Sequence, residues 1–399
     1  MGTKRRKGKE IAGLPGYLIL LVLLLLWLFQ ELRPGPSPSA LPETGQAEVY
    51  FMPQDGPQAK ARLLALMAGA RESLYGAFYE FRDLEIAKGL LEAKARGVKV
   101  EIYGEGDFRQ DFRRYLVAAS LGQTQEPPRV PQTALRGRVR PTSIDCEEIA
   151  GIPVCFDERE GFMHHKFLVA DEKAVWTGST NMTWNAFARN DENSLLLPSP
   201  TLARGYAREF KALFGGNKEG LGEPVAFRLE DPPVEGTAYF SPKGGKAARE
   251  ALLQAAREAK REILVAAFVL TDREVVKALE DAHRRGVEVK VLLETRNLKD
   301  SREEDLRKAG IPVRQDGNGG QGGAGGGPPG IPVRQDGNPY TMHHKVMVLD
   351  GERVVTGSYN FSARAWQVNN ENLLVLQSPA LAQRYRQEVL RLWEEGKPL

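Results

Sequence analysis

The sequence MHHKFLVAD at residues 163–171 occurs a second time as MHHKVMVLD at residues 342–350. Four of the five histidines of the chain lie in these two stretches. Each stretch is followed at the same distance by two further matching segments, which are GSTN and NDEN in the first case and GSYN and NNEN in the second. The chain therefore contains a duplicated site, and the rest of the sequence is organised around it.

Apolar alternation on both sides of Asp171 and Asp350 predicts, in each copy, two strands joined by a tight turn. Because side chains alternate between the faces of a strand, His164 and Lys166 point the same way and His165 points to the other face. The same parity holds in the second copy. Adjacent histidines on a strand cannot chelate one metal, and the cysteines have no ligand spacing, so no metal site is predicted. The two aspartates face away from the first histidines, and we interpret them as turn-forming or strand-end anchors.

The pattern His-x-Lys-x4-Asp, present twice and followed each time by Gly-Ser-x-Asn, resembles the phospholipase D superfamily. The resemblance covers nearly the whole chain after residue 46. It implies an α/β fold of two tandem domains related by a pseudo-twofold axis, each a mixed sheet flanked by helices. In that family both His/Lys pairs close on one phosphodiester. One histidine attacks phosphorus and forms a phosphohistidine, the other protonates the leaving oxygen, and no cofactor or metal is needed.

This resemblance and the repeated spacing assign roles to residues of both copies. We expect His164 to be the nucleophile and His343 the general acid, since the N-terminal histidine commonly attacks in related two-copy enzymes. Lys166 and Lys345 are expected to offset the charge of the phosphate. The other expected site residues are Glu192 and Glu371, which hold one ring nitrogen of His164 and His343, and Ser179, Asn181, Ser358 and Asn360, which donate to nonbridging phosphate oxygens.

The net charge of +3 is concentrated at the N-terminus. Residues 1–33 carry +4 and the remainder of the chain carries −1. A protein that holds nucleic acid mainly through its phosphates usually has a positive excess, which the body of this chain lacks. The 399 residues, 42% of them hydrophobic, are enough for two domains with packed cores.

The N-terminal segment has the pattern of an export signal or a membrane anchor. Basic residues precede an apolar run from Leu18 to Phe29, and a Pro/Ser-rich stretch follows it. Positive charge before the run predicts that the N-terminus stays in the cytoplasm and the body is exported. The protein is then membrane-anchored, or secreted if the segment is cleaved. An exported location permits a disulfide between Cys146 and Cys155, and two buried free thiols are the alternative.

The two halves align at a constant offset of 189 residues over about their first fifty positions, from residue 48 to residue 100. Each half predicts the order strand, helix, strand, helix, strand, which is typical of an α/β unit. We therefore expect one domain over residues 46–216 and another over 236–399. An N-terminal segment, 1–45, precedes them, and a linker rich in breakers and acids, 217–235, separates them.

At the histidine motifs the offset has become 179, so ten more residues are expected in the first half, between about Asp107 and Ile144. The nonapeptide GIPVRQDGN occurs at 310–318 and again at 330–338, on either side of a Gly-rich insertion at 319–329. Only one copy can occupy the strand before the second motif. Alignment at the offset of 179 selects the later copy and leaves the other residues as an insertion.

The expected activity is hydrolysis of phospholipid to phosphatidic acid and head group, because the anchor and the near-neutral body suit a membrane substrate. A metal-independent endonuclease acting on DNA is the first alternative, in which aromatics such as Trp184 and Tyr340 stack bases. Phosphatidyl transfer of the cardiolipin synthase type is the second alternative. A non-enzymatic binding module is a further alternative, and the two intact His/Lys sets argue against it. The expected partners are the phospholipid or nucleic-acid substrate and a membrane, and the expected state is a monomer that forms an intramolecular pseudo-dimer.

Overall fold

The computed structural model describes residues 43–128, 144–316 and 340–399. The chain from Leu41 to Leu399 forms one compact unit. The predicted membrane anchor and the Gly-rich insertion lie outside the described residues. Within the described ranges, no helix is both long and apolar enough to cross a membrane.

Both halves contain the predicted order of strands and helices. The strands are β1 (Glu43–Gln46), β2 (Glu48–Met52), β3 (Ser73–Phe78), β4 (Phe81–Arg82), β5 (Lys99–Glu105), β6 (Ile144–Ile149), β7 (Ile152–Asp157), β8 (Lys166–Ala170), β9 (Ala174–Gly178), β10 (Met182–Thr183), β11 (Glu192–Leu197), β12 (Val225–Asp231), β13 (Val234–Ser241), β14 (Glu262–Ala267), β15 (Glu288–Leu293), β16 (Val313–Gln315), β17 (Lys345–Leu349), β18 (Arg353–Gly357), β19 (Glu371–Gln377) and β20 (Lys397–Pro398). The α-helices are α1 (Gly56–Gly69), α2 (Leu84–Ala95), α3 (Arg109–Ser120), α4 (Trp184–Ala188), α5 (Pro200–Phe214), α6 (Gly245–Glu258), α7 (Arg273–Arg284), α8 (Glu303–Lys308), α9 (Ala363–Gln367) and α10 (Pro379–Glu395).

The first half is built on an eight-stranded sheet with the order β2-β11-β9-β8-β3-β5-β7-β6. β3, β5 and β7 are parallel, whereas β8, β9, β11 and β2 are antiparallel to their neighbours. All six residues of β3 are buried, as expected for a central strand whose two faces are both covered.

The second half repeats this arrangement within a ten-stranded sheet. Its order is β1-β12-β13-β19-β18-β17-β14-β15-β16-β20, and the seven strands from β13 to β16 in this order correspond to the seven from β2 to β7 in the first sheet. β14, β15 and β16 are the parallel strands here. The described residues therefore form the two mixed α/β halves that the sequence predicts.

A continuous apolar core joins the two halves. Tyr206 and Phe210 of α5 and Tyr385 and Val389 of α10 belong to one cluster of buried residues, together with side chains of both sheets. Burying this surface between the sheets favours the docked arrangement of the halves. Since the histidine motifs lie in strands of both sheets, the same core brings them to one place.

The segment 217–235, predicted to be a linker, contains a strand. β12 pairs with β13 and with β1, so it belongs to the ten-stranded sheet. Val225, Phe227 and Leu229 are buried and alternate with less buried neighbours. The linker prediction gave weight to the flanking Gly, Pro and acidic residues and missed this period of two.

The earlier nonapeptide supplies the strand before the second motif, so the choice of the later copy was wrong. β16 comes from the earlier copy and runs parallel to β15, with Val313 opposite Val291, as Val154 lies opposite Ile102 in the first half. The two copies are identical, and the choice between them rested on the distance to the next histidine motif. The extra residues follow the strand instead of preceding it, and the later copy lies outside the described residues.

The region from Asp107 to Ile144 was expected to hold a longer loop in the first half. Its described part contains α3, a helix of twelve residues that packs against α2. Farther along, Cys146 of β6 lies opposite Cys155 of β7, and the two form a disulfide. The structure thus has the disulfide and not the two free thiols.

The turns that end β8 and β17 are held by aspartates with left-handed backbone conformations. Asp171 has a φ of 53° and Asp350 a φ of 56°. The Asp171 carboxylate accepts hydrogen bonds from the backbone N–H groups of Arg71, Glu72 and Ser73. Asp350 makes the equivalent bonds to residues 260–262. Each aspartate therefore connects the turn to the start of the neighbouring strand.

Candidate active site

Each histidine motif is attached through its backbone to the opposite half. The N–H of His164 donates to the carbonyl of Asn370 at 2.9 Å, and the N–H of His343 donates to the carbonyl of Asp191 at 2.8 Å. An isolated parallel β-bridge accompanies each of these bonds. The two motifs therefore meet at the junction of the halves, and each is held in place by the segment that precedes a glutamate of the other half.

Each histidine ring is held by that glutamate. His164 Nδ1 lies 2.7 Å from Glu371 Oε2, and His343 Nδ1 lies 2.9 Å from Glu192 Oε2. Taken in chain order, the sequence would pair each glutamate with the histidine of its own half, whereas the structure pairs them across the junction. A carboxylate on Nδ1 fixes the tautomer and leaves Nε2 as the nitrogen available for reaction.

The two lysines are buried beside their histidines. Lys166 Nζ donates to the carbonyl of His164 at 2.7 Å, and Lys345 Nζ donates to the carbonyl of His343 at 2.6 Å. Each lysine keeps only about one per cent of its surface exposed. Two buried ammonium groups beside two imidazoles form a centre suited to a small anion.

Burial keeps both histidine rings neutral at neutral pH. Burial lowers the pKa of His164 well below its ordinary value, and the positive charges of Lys166 and Lys345 lower it further. The pKa of His343 is lowered well below its ordinary value by burial and by the same two lysines. A neutral imidazole is the form that acts as a nucleophile.

Burial also shifts the groups around the rings towards their uncharged forms. It lowers the pKa of Lys166 to about 8, against the opposing influence of Glu371 and Glu192. The pKa of Lys345 falls well below its ordinary value for the same reason. Burial raises the pKa of Glu192 and of Glu371 to about 7. Lys166, Glu192 and Glu371 therefore have pKa values that lie close together near neutral pH.

The two motif serines hold the glutamates. Ser179 Oγ donates to Glu192 Oε2 at 2.6 Å and accepts the backbone N–H of Asn193. Ser358 Oγ accepts the backbone N–H of Asn372 and hydrogen-bonds Glu371. A hydroxyl has one proton to donate, and here the glutamate receives it. The serines thus position the glutamates that orient the histidines, and their expected role as phosphate donors stays a prediction.

The motif asparagines lie two residues beyond these serines, in the segments that lead into α4 and α9. Asn181 is 8% exposed. The side-chain oxygens of Asn181 and Asn360 are buried and have no hydrogen-bond partner among the described residues. Their predicted role as phosphate donors stays a prediction. Asp171 and Asp350, by contrast, are occupied at the far ends of β8 and β17.

A family model described as "Cardiolipin synthase, PLD-like domain" matches residues 63–214 and 252–393 of this chain. The two matches together cover most of the chain, and one falls on each half. The chain belongs to the phospholipase D superfamily. The expected two-domain fold is thereby placed in one known family.

Known relatives within the phospholipase D superfamily match parts of the chain. A mitochondrial cardiolipin hydrolase of Xenopus laevis is 32% identical over 142 residues, which are 35% of this chain and 58% of that protein. A phospholipase D of Rickettsia bellii is 34% identical over 134 residues, which are 33% of this chain and 57% of that protein. The chain thus spans less than two thirds of the length of either relative. These matches support a phosphodiesterase-type enzyme.

One solved structure aligns with almost the full length of the chain. The phosphatidylserine synthase of Haemophilus influenzae Rd KW20 covers 94% of this chain and 91% of its own, with a TM-score of 0.59 and 13% identity. At this identity the likeness is one of fold alone. It extends across both halves, in agreement with the two-domain repeat.

The second histidine of each motif belongs to a polar network that the sequence analysis did not predict. His165 Nδ1 lies 3.3 Å from Asn372 Oδ1, and His344 Nδ1 lies 3.0 Å from Asn193 Nδ2. Each contact crosses between the halves. The signal was present, because the asparagine directly follows the site glutamate in both copies and the histidine directly follows the first histidine.

Aromatic rings cover the two His/Lys pairs, and the sequence analysis missed them as well. The Tyr79 ring lies 4.6 Å from the His164 ring, and Lys166 Nζ lies 4.7 Å from the centre of the Tyr79 ring. Phe268 has the same relation to the second pair, 4.6 Å from the His343 ring. Tyr79 and Phe268 are 189 residues apart, so the offset between the halves already related them.

Two further glutamates hold the backbone of the residue that precedes each reactive histidine. Glu105 Oε2 accepts the backbone N–H of Met163, and Glu294 Oε2 accepts that of Met342. Both carboxylates are fully buried. Burial raises the pKa of Glu105 well above its ordinary value, and burial together with the neighbouring Asp316 raises that of Glu294 to about 8. Glu105 is the last residue of β5 and Glu294 directly follows β15, and each fixes the peptide just before a reactive histidine.

Proposed function

We propose that this protein hydrolyses the head-group phosphodiester of a phospholipid through a covalent phosphohistidine. The observation that carries the proposal is the crossed pairing of two buried imidazoles with two buried carboxylates. His164 with Glu371 and His343 with Glu192 present two Nε2 atoms at the junction of the halves, with an ammonium group beside each. Known relatives described as phospholipase D and cardiolipin hydrolase favour a lipid phosphodiester over other anions.

In the first step, His164 Nε2 attacks phosphorus and displaces the head-group oxygen. The P–N bond forms as the P–O bond to the head group breaks, and His343 Nε2–H gives its proton to the departing oxygen. His343 must be protonated at this moment, although burial favours its neutral form. A bound phosphate anion raises the pKa of His343, and Glu192 stabilises the imidazolium.

In the second step, water replaces the histidine on phosphorus. His343, now neutral, accepts a proton from the water as its oxygen attacks, the P–N bond breaks, and His164 returns to its starting form. The products are phosphatidic acid and the free head-group alcohol. Lys166 and Lys345 stay beside the phosphoryl oxygens in both steps and offset the charge that develops there.

Hydrolysis of DNA by the same chemistry is the second candidate. Trp184 is 44% exposed, which makes it available to stack on a base. The charge of −1 outside the N-terminal segment does not favour a long polyanion. Transfer of the phosphatidyl group to an alcohol instead of water would use the same intermediate and differs only in the acceptor.

The test offers the full chain, in mixed micelles with EDTA, four substrates in parallel: phosphatidylcholine, phosphatidylglycerol, single-stranded DNA and duplex DNA. We expect free head group and phosphatidic acid from lipid and intact DNA. Shortened DNA with intact lipid would overturn the proposal in favour of the nuclease. Added ethanol distinguishes transfer, because a transferase forms phosphatidylethanol at the expense of phosphatidic acid. His164→Ala is the control for a contaminating activity.

We further propose that the N-terminal segment holds the exported body at a membrane, where this substrate is found. The basic residues before the apolar run and the near-neutral charge of the body support this location. Expression with a reporter fused to the C-terminus checks it. The reporter is expected outside the cytoplasm and in the membrane fraction, and recovery of the whole protein from the cytosol would oppose the location without affecting the chemistry.

A further inference from the structure

An arginine in the loop before the first histidine motif contacts the other half of the molecule. Arg159 lies between β7 and β8, five residues before His164. Its Nη2 atom donates a hydrogen bond to the side-chain oxygen of Asn370, which is fully buried. The carbonyl of the same asparagine accepts the N–H of His164 at 2.9 Å. A side chain with no part in the proposed chemistry thus contacts the residue that holds the nucleophile.

Asn370 determines the position of both the backbone and the ring of His164. Besides accepting the His164 N–H, it donates its own N–H to the carbonyl of Phe162 at 2.8 Å, so it holds the motif at two points. Its side-chain amide donates to the carbonyl of Lys218 at 3.1 Å. The next residue is Glu371, whose Oε2 lies 2.7 Å from His164 Nδ1. A shift of Asn370 would therefore displace the peptide and the carboxylate that orient the histidine.

Arg159 is itself held by a buried carboxylate. Asp157, the last residue of β7, accepts Arg159 Nε at 2.9 Å and Arg159 Nη2 at 2.7 Å. A two-pronged pair of this kind fixes the direction of a guanidinium as well as its charge. β7 pairs with β5 on one side and with β6 on the other, and the disulfide of Cys155 with Cys146 joins it to β6. We call the connection from Asp157 through Arg159 to Asn370 the arginine clamp.

The chemistry of the clamp requires an arginine. Burial lowers the pKa of Arg159, but the hydrogen bonds and the charge of Asp157 outweigh burial and raise it, so the guanidinium stays charged. A guanidinium has five N–H donors in a planar fork and can serve a carboxylate and an amide oxygen at once. A lysine offers one compact ammonium group and is suited to the carboxylate alone.

The second half of the sequence has no arginine at the equivalent position. This position is Asn318 when it is counted from β16 and Asn338 when it is counted from the second histidine motif. An asparagine has neither the charge nor the length to connect a buried carboxylate with the other half. The arginine clamp is thus a feature that distinguishes His164 from His343 in an otherwise repeated centre.

We propose that Arg159 is a positioning residue, which fixes Asn370 and thereby aligns His164 for attack on phosphorus. The proposal rests on the proposed function, which assigns the attack to His164. Misplacement of a reacting group by about 1 Å can cost about a hundredfold in rate. Loss of the clamp should therefore slow formation of the P–N bond and leave substrate binding almost unchanged, because Arg159 acts through Asn370 and not on the phosphate.

The first test reads the hydrogen bond of His164 and needs no activity. Arg159→Lys keeps a positive charge beside the buried Asp157, so the full chain should fold, but its single ammonium group cannot also hold Asn370. We expect amide hydrogen exchange at the His164 N–H to become at least about tenfold faster, and exchange at the His343 N–H to stay within about twofold. Mass spectrometry with fragmentation to single residues measures both.

The matched control is Arg109→Lys. Arg109 pairs with Glu158 of the same loop at 3.0 Å, and its other ion-pair partners, Asp145 and Glu147, also belong to the first half. This variant should leave exchange at both histidines within about twofold of the wild-type value. Equal acceleration at His164 and His343 in Arg159→Lys, or no acceleration at His164, would overturn the proposal.

The second test follows the chemistry with a p-nitrophenyl phosphodiester. Arg159→Lys should lower kcat by about tenfold or more and change KM by less than about twofold. Asn370→Ala removes the other end of the same contact, so Arg159→Lys should slow the reaction little further in that background. Fully additive losses, or a rise in KM with kcat unchanged, would show that Arg159 does not act through Asn370.

The two tests separate failure of the clamp from failure of the proposed function. If exchange at His164 responds to Arg159→Lys but the wild-type protein cleaves neither the p-nitrophenyl ester nor lipid, the clamp stands and the proposed hydrolysis falls. If the ester is cleaved equally well by wild type and Arg159→Lys, the hydrolysis stands and the positioning role falls, whether or not exchange has changed.

Discussion

The two reactive histidines are chemically alike but have different duties in the proposed reaction. A p-nitrophenyl phosphodiester separates these duties, because p-nitrophenolate leaves without a proton. We predict that His343→Ala releases about one equivalent of p-nitrophenolate per protein and then stalls, since water is no longer activated. His164→Ala should release none above background. Stopped-flow absorbance measures both.

On phospholipid, each of these variants should lose at least about a thousandfold in kcat, because the alkoxide leaving group needs both histidines. With the p-nitrophenyl substrate, release of one equivalent of p-nitrophenolate by His164→Ala and none by His343→Ala would reverse the two roles. Mass spectrometry of the stalled His343→Ala protein should find the added phosphoryl group on the peptide that contains His164. Recovery of that group on any other residue would contradict the assignment.

The residues of the centre were predictable where the chain repeats itself. His164, Lys166 and Glu192 recur in the second half at a single offset, and a strand places the first two on one face. The sequence did not predict which glutamate pairs with which histidine. Parity says which face a side chain occupies, but the pairing of His164 with Glu371 depends on how the two sheets dock. For the same reason the sequence could not show that Ser179 is occupied by Glu192.

At the scale of elements, the turn between β8 and β9 depends on one carboxylate. The Asp171 carboxylate accepts hydrogen bonds from three backbone N–H groups at the start of β3. Burial alone would raise the pKa of Asp171, but these hydrogen bonds outweigh burial and lower it. We predict that Asp171→Ala lowers the free energy of unfolding by about 2–3 kcal/mol. Urea denaturation measures this change. Asp171→Asn, which keeps one acceptor oxygen, should lose less.

The same variant distinguishes an anchor from a catalytic residue. Because Asp171 lies at the far end of β8 from His164, kcat per folded molecule should stay within about twofold of the wild-type value. A large fall in kcat at full stability would show that the carboxylate acts in catalysis. Asp350→Ala should behave in the same way in the second half.

The helix α10 contributes a pH-dependent part of the stability through Glu388. Burial alone would raise the pKa of Glu388, but interactions with His344 and Arg391 outweigh it and lower the pKa to about 2. A carboxylate with a lowered pKa stabilises the fold at pH values above its unfolded pKa of 4.5, and this stabilisation is lost as the pH falls towards 2.

We therefore predict that Glu388→Gln destabilises the protein by about 3 kcal/mol at pH 7 and by clearly less at pH 3. Urea midpoints at the two pH values measure the difference. The matched control is Glu395→Gln on the same helix, whose carboxylate also pairs with Arg391 but is exposed. A loss in Glu388→Gln that is the same at both pH values would contradict the argument.

Elements were predicted well where the pattern was long and poorly where it was short or ambiguous. The strands and helices that precede each motif follow from clear apolar periodicity and from glycines that end the helices. β12 was not predicted because its seven residues, in which buried and less buried side chains alternate, lie between segments rich in glycine, proline and acidic residues. The choice between two identical nonapeptides could not be made from local sequence, since only pairing with β15 decides it.

At the scale of the whole molecule, two asparagines connect the halves in a pseudo-symmetric way. Asn372 Nδ2 donates to Thr177 and Tyr206 of the first half, and its Oδ1 contacts His165. Asn193 makes the corresponding contacts with Thr356, Tyr385 and His344 of the second half. Both asparagines are fully buried, so each lost contact leaves a polar group without a partner.

We predict that Asn372→Ala lowers the free energy of unfolding by about 2–4 kcal/mol and also lowers kcat, because Asn372 directly follows the glutamate that orients His164. Tyr206→Phe removes the hydroxyl that hydrogen-bonds Thr177 and Asn372 in the same network and should cost about 1–2 kcal/mol. The two asparagines lie in separate networks on either side of one interface. If the halves dock as a single cooperative unit, Asn193→Ala and Asn372→Ala should each reduce the stoichiometric release of p-nitrophenolate by His164, although it is Glu371 that hydrogen-bonds that ring. Unchanged burst kinetics in Asn193→Ala, at a temperature where it remains folded, would mean that each half positions its own part of the centre independently.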